Sequence, residues 1–90
     1  MKFEWDWEKE QINIRKHGID FEIASHVFLD KHRVEYYDES HSAVNEDRYI
    51  TIGSVGEIIM VVYTEREDAL RIISARLATK RERERYYYGY

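Results

Sequence analysis

The run Ile58-Ile59-Met60-Val61-Val62 constrains the fold of this 90-residue chain more than any other segment. Five consecutive apolar residues, rich in β-branched side chains, make a strand that is apolar on both faces, and such a strand belongs at the centre of a sheet. The segment before it supplies the partner. Residues 48 to 53 alternate, with Ile50 and Ile52 on one face, and Gly53-Ser54-Val55-Gly56 turns the chain back into Glu57 to Thr64, so the whole reads as a hairpin. Ala69-Leu70-Arg71-Ile72-Ile73-Ser74-Ala75 reads as a further strand after a turn through Glu65-Arg66-Glu67-Asp68. An earlier one covers Arg33-Val34-Glu35-Tyr36-Tyr37, and the polar stretch from Asp38 to Asp47 is a loop.

Helical signals lie on either side of these strands. Asp6 can cap a helix over roughly residues 6 to 17, whose last turn carries Arg15, Lys16 and His17 before Gly18, a start and stop that suit both the helix dipole and a glycine C-cap. Asp20 can cap a second helix, in which Phe21, Ala24 and Phe28 recur at i, i+3 and i+7 and Ile23 and Val27 widen the apolar face. Thr79 and Glu82 have capping-box spacing for a closing helix from about 80 to 87. The expected architecture is therefore α+β: two N-terminal helices packed on an antiparallel sheet of about four strands, with a short C-terminal helix. No proline, glycine-serine linker or internal repeat marks a boundary, so residues 1–90 read as one domain.

Composition narrows the function. Without cysteine there is no thiol nucleophile, zinc-thiolate site or redox pair, and without a long apolar run or a signal-like start the chain is expected in the cytoplasm, away from membranes. A net charge of -4 argues against a general nucleic-acid coat. Its distribution is uneven, however: residues 1–65 hold 7 Lys/Arg against 14 Asp/Glu, and residues 66–90 hold 7 against 4. That asymmetry fits a localised anion site on an acidic body, and equally a solvated charged helix.

Serine-centred nucleophile motifs, glycine-rich phosphate loops and metal-binding helix motifs are absent from the sequence. His26, His32 and His41 are scattered, so no metal site and no cofactor is expected. His17 differs because Arg15 and Lys16 precede it at a helix end, where the three are either dipole-stabilising decoration or a proton carrier beside two cations. Arg66 sits in a turn, Arg71 within an apolar strand and Arg76 just before the last helix. An arginine in such a strand must pair with a carboxylate, reach solvent, or present its planar fork to an anion. Lys80 and Arg81, with Arg15, are further candidates for contact with an RNA backbone. If RNA is the partner, these groups suit attack of a 2′-hydroxyl on the adjacent phosphorus without a metal, giving a cyclic phosphate and a 5′-hydroxyl. Lysine or a carboxylate such as Glu46 is available as an alternative base. The tail Tyr86-Tyr87-Tyr88-Gly89-Tyr90 suits either base stacking or a protein interface, so a non-catalytic module that only docks a partner protein is the competing reading.

Taken together, Phe3-Glu4-Trp5-Asp6, Lys9, Asn13, Lys16-His17-Gly18-Ile19, Phe21, Ala24 and Val27-Phe28 resemble the N-terminal half of the BrnT family of toxins. Glu46, Arg48, Gly53, Val62-Tyr63-Thr64, Arg66, Arg71-Ile72-Ile73-Ser74-Ala75-Arg76, Ala78 and Glu84-Arg85-Tyr86 resemble the remainder of that family's pattern. The resemblance implies a RelE-like fold, ribonuclease activity that arrests translation, and neutralisation by a BrnA-like antitoxin in a symmetric hetero-oligomer. It also implies that Lys16, His17, Arg66, Arg71 and Arg76 are the active-site residues.

Overall fold

The apolar run lies where its two-faced pattern demands. The computed structural model describes residues 1–40, 42 and 44–89. Among these the strands are β1 (Lys2–Trp5), β2 (Val34–Tyr37), β3 (Arg48–Ser54), β4 (Ile58–Arg66) and β5 (Ala69–Leu77), forming one sheet in the order β1-β5-β4-β3-β2. The helices are α1 (Trp7–His17), α2 (Phe21–Ser25) and α3 (Lys80–Tyr88), with a 3-10 turn at His26–Leu29. Alternate residues of β4 feed two cores. Val61 and Tyr63 pack on one face with Phe21, Val27 and Ile72, while Met60 and Val62 pack on the other with Ile52, Ala78 and Tyr86. Each fully buried aliphatic or aromatic side chain there contributes roughly 1.5 to 3 kcal/mol.

Two expectations need correction. The sheet has five strands among the described residues and is mixed, because β1 joins it parallel to β5, pairing Lys2 with Ala69 through Trp5 with Ile72. Four residues are too short to print a pattern, and what makes them a strand is an edge supplied by residues far along the chain. The second helix is also shorter than its apolar spacing suggested. Ser25 Oγ donates to the Glu22 carbonyl at 2.6 Å, and from His26 the chain tightens into the 3-10 turn, which still buries Val27 and Phe28.

The helix ends follow the sequence. Asp6 accepts from the Lys9 amide, Asp20 from the Ile23 amide, and Thr79 and Glu82 form a reciprocal capping box. Gly18 ends α1 at φ +70°, a conformation that only glycine adopts without cost. At Gly53 the constraint is space: a Cβ there would lie 2.6 Å from Val27 Cγ2.

Asn13 joins α1 to the sheet. β1 covers the edge of β5 only as far as Ile72, so beyond it the strand would expose unpaired backbone. The buried Asn13 carboxamide takes the place of a further strand: it accepts from the Ala75 amide at 3.0 Å and donates to the Ala75 and Ile19 carbonyls, each at 2.9 Å. On the opposite side of the sheet α3 is held by few contacts, and every one of its residues is at least partly exposed. Tyr86 donates its hydroxyl proton to Asp30 Oδ2 at 2.6 Å, and the Arg85 guanidinium lies 3.9 Å over the Tyr36 ring. That bond to Asp30, with burial adding to it, pushes the Tyr86 hydroxyl up to about 12. Burial pushes Asp30 up, but the bonds from Tyr86 and from the His32 and Ser54 amides outweigh it, so the net direction is down.

Asn13→Ala removes partners from three buried backbone groups, each costing about 1 kcal/mol or more, so urea unfolding should show a loss of roughly 2 to 4 kcal/mol; a loss below about 0.5 kcal/mol would contradict the edge-capping role. Tyr86→Phe should cost about 1 to 2 kcal/mol at neutral pH. Because the folded-state value of Tyr86 is raised, its contribution is complete below the ordinary tyrosine value near 10 and is lost as pH rises through about 12. The stability gap between wild type and variant, followed across that window, should therefore close.

Candidate active site

A β-bulge decides which side chains of β5 share a face. Opposite β4 the pairing runs from Val62 with Ser74 directly to Tyr63 with Ile72, leaving Ile73 as an extra residue. Arg71 and Arg76 are an odd number of residues apart and would otherwise point to opposite faces. With the bulge, Arg71 opposes Thr64 and Arg76 opposes Met60, and these two lie on one side of β4. Arg48 of β3 also opposes Thr64 and joins them there.

On this face, between the C-terminal end of α1 and β5, lie two adjoining cavities. The first, about 210 Å³, is lined by His17, Arg48, Met60, Val62, Ser74 and Arg76. The second, about 180 Å³, is lined by Lys9, Ile12, Asn13 and Lys16, and shares His17 and Ser74 with the first. Among the described residues no carboxylate lines either one. Other depressions on the surface are acidic: one carries Glu35, Glu65, Glu67 and Asp68, a second Glu46, Asp47 and Glu65, and a third Glu35 and Glu65. On a chain of net charge -4, two carboxylate-free cavities lined by five basic side chains are where an anion is stabilised.

The carboxylates lie behind the arginines. Glu82 grips Arg76 through two bonds of 2.7 and 3.0 Å, and Arg76 Nη1 also donates to the Leu77 carbonyl. That pairing pushes the guanidinium further up, so it stays charged. Burial pushes the Glu82 carboxyl up, yet the bonds from Arg76 and the Thr79 amide carry it below the ordinary range. Glu82 thereby ties α3's capping box to the cavity wall. Arg48 Nε donates to Glu46 Oε1 at 3.0 Å, and among the described residues its Nη groups have no hydrogen-bond partner. Arg66 Nη2 donates to the other Glu46 oxygen at 3.1 Å. The bond from Arg48, followed by that from Arg66, holds the Glu46 carboxyl below its usual value. A carboxylate so occupied, in a different depression from His17, is poorly suited as a base.

The residues picked out from the sequence are thus divided. Lys16, His17 and Arg76 meet around the two cavities. Arg71 lies on the same face but pairs with Glu4 at 2.7 Å, across the parallel strands. Arg66 lies in the acidic depression around Glu46. Arg15, Lys80 and Arg81 are exposed and line neither cavity. His26 and His32 are exposed, and no group of three His, Asp or Glu able to hold a metal ion occurs among the described residues. His41 and Tyr90 lie outside the described residues. Sequence reasoning passed over Arg48 as a site residue, although its parity with Ile50 and Ile52 already assigned it to their face. Lys9 and Ser74 entered only as part of the family resemblance, which gave neither a role in the site.

Among the described residues no helix is long and apolar enough to cross a membrane. Comparison with known proteins gives a consistent answer. No curated protein sequence matches the chain. Residues 5–82 match the family model described as the ribonuclease toxin, BrnT, of type II toxin-antitoxin systems. The crystal structure of the Brucella abortus ribonuclease toxin BrnT superposes with a TM-score of 0.66 at 32% sequence identity, covering 89% of this chain and 99% of that one. The family match and the structural likeness agree, and the chain belongs to the BrnT family of ribonuclease toxins of type II toxin-antitoxin systems.

Proposed function

We propose that this chain cleaves RNA without a metal, by attack of a ribose 2′-hydroxyl on its own 3′-phosphate, in the cavity formed by His17, Arg48 and Arg76. The observation that carries this reading is the adjoining pair of carboxylate-free cavities in which a histidine meets lysine and arginine cations on an acidic protein. The reaction requires a proton acceptor at the 2′-oxygen, a proton donor at the leaving 5′-oxygen, and positive charge around the non-bridging oxygens. With no carboxylate in the lining among the described residues, His17 takes the 2′-hydroxyl proton. Lys16, next to it in sequence and in the second cavity, supplies the proton to the 5′-oxygen.

Arg76, steadied by Glu82, and Arg48, steadied by Glu46, meet the charge that builds on the phosphate. Their value lies in being held in place beforehand: the cost of orienting each guanidinium is met during folding. Arg66 and Arg71 hold the flanks of this field through Glu46 and Glu4, and Arg15, Lys80 and Arg81 provide outlying contacts to the RNA backbone. Residues 1–90 act as one domain of RelE-like type in the cytoplasm. Cleavage of RNA arrests translation, and a BrnA-like antitoxin neutralises the chain in a symmetric hetero-oligomer.

Purified protein should cut bulk RNA in excess chelator, leaving cyclic phosphate and 5′-hydroxyl ends. His17→Ala and Arg76→Ala should each lower the rate by about 10²-fold or more while circular dichroism stays native. Full activity in both variants would remove this site from the reaction. A wild-type chain that cuts nothing, yet binds its antitoxin, would instead be a docking module.

A further inference from the structure

Of the residues that belong to the second cavity alone, only Lys16 serves the chemistry of a single phosphate, and Lys9 is left without a task there. Apart from the wall shared with the first, this cavity's polar lining consists of Lys9, Asn13 and Lys16. Asn13 gives both its amide protons to the Ala75 and Ile19 carbonyls and has no donor left for an anion. The two lysines are different: both are exposed, and neither takes part in an ion pair with a described residue. They stand at i and i+7 on one face of α1, about 10 Å apart along the helix axis. Of the nearby acids on the same helix, Glu10 is occupied by the Phe21 amide, and neither Glu8 nor Glu10 lines the cavity. The row of cations therefore continues from Arg48 and Arg76, past His17 and Lys16, to Lys9. A single phosphate cannot reach all of them, whereas consecutive phosphates of one strand can.

We infer that the Lys9 end of the second cavity is a flanking-phosphate subsite, in which Lys9 holds the phosphodiester next to the one that reacts, so that a single RNA strand lies along α1. This rests on the ribonuclease reading for the identity of the ligand, but it assigns Lys9 a task in binding rather than in bond cleavage. Each phosphate so neutralised releases condensed counterion, so the contact should leave a signature in the salt dependence of binding.

The test is binding of a fluorescently labelled 2′-O-methyl oligoribonucleotide, which cannot undergo 2′-attack, to the full chain over a series of salt concentrations. Lys9→Ala should weaken binding roughly tenfold at low salt, as expected for loss of one charged hydrogen bond, and reduce the slope of log K against log salt by about 0.7, the single-strand value per phosphate. Lys9→Arg should restore most of both. Lys31→Ala, which removes an equal charge from an exposed position outside either cavity, should change neither by a comparable amount. If Lys9→Ala binds with wild-type affinity and slope, or if Lys31→Ala loses as much, the subsite is overturned. Because the probe is not cleaved, the ribonuclease reading is judged separately: a wild-type chain that shows the Lys9 dependence but cuts no RNA would overturn that reading and leave the subsite standing.

Discussion

The hydrogen bonds between Asn13 and the edge of β5 are the constraint on which the rest of the arrangement depends. A helix end carrying His17 and Lys16 has no reason of its own to lie against Arg76. The Asn13 carboxamide fixes that relation because Ala75 offers both an amide and a carbonyl where β1 has run out, and a buried peptide group left unpaired is costly. The same side chain holds the Ile19 carbonyl and so fixes how the chain leaves α1 after Gly18. One residue thus sets the position of the helix, the direction of the following turn and the cavity between helix and strand.

The second constraint is electrostatic. An acidic chain that handles a polyanion has to keep its carboxylates away from the phosphate without losing the order they bring. Here Glu82 and Glu46 bind their arginines from outside the cavities, which fixes the guanidinium planes while leaving the cavity linings free of carboxylate among the described residues. Neutralising one arginine at a time from behind also reduces the repulsion between cations brought together in a small volume.

The sequence was most informative where the governing interactions are local. Caps at Asp6, Asp20 and Thr79, the C-cap at Gly18 and the two-faced run of β4 depend on residues within a turn or two, and all were legible. β1 was not, because Lys2–Trp5 becomes a strand only through an edge that residues 69–72 provide. The bulge was equally hidden: Ile72 and Ile73 are chemically alike, and which of them is the extra residue depends on how β4 pairs. For the site, residue type and whole-chain resemblance pointed to Lys16, His17, Arg66, Arg71 and Arg76, of which Lys16, His17 and Arg76 line the two cavities. The carboxylate partners of Arg66 and Arg71 come from Glu46 and Glu4, distant in sequence, so their engagement could not be read in advance.

The parallel pairing of β1 with β5 bears on the order in which the chain is made. During synthesis the N-terminal third emerges first, yet neither edge strand β1 nor helix α1 has its partner until β5 has followed. A nascent chain that stops short of residue 73 carries His17 without the Ala75 anchor or Arg76. Such a fragment holds every member of the cation row except Arg76 and has nothing to position them. The groups brought together by β5 therefore meet only once Ala69–Leu77 has been made, so a product interrupted earlier leaves them unassembled.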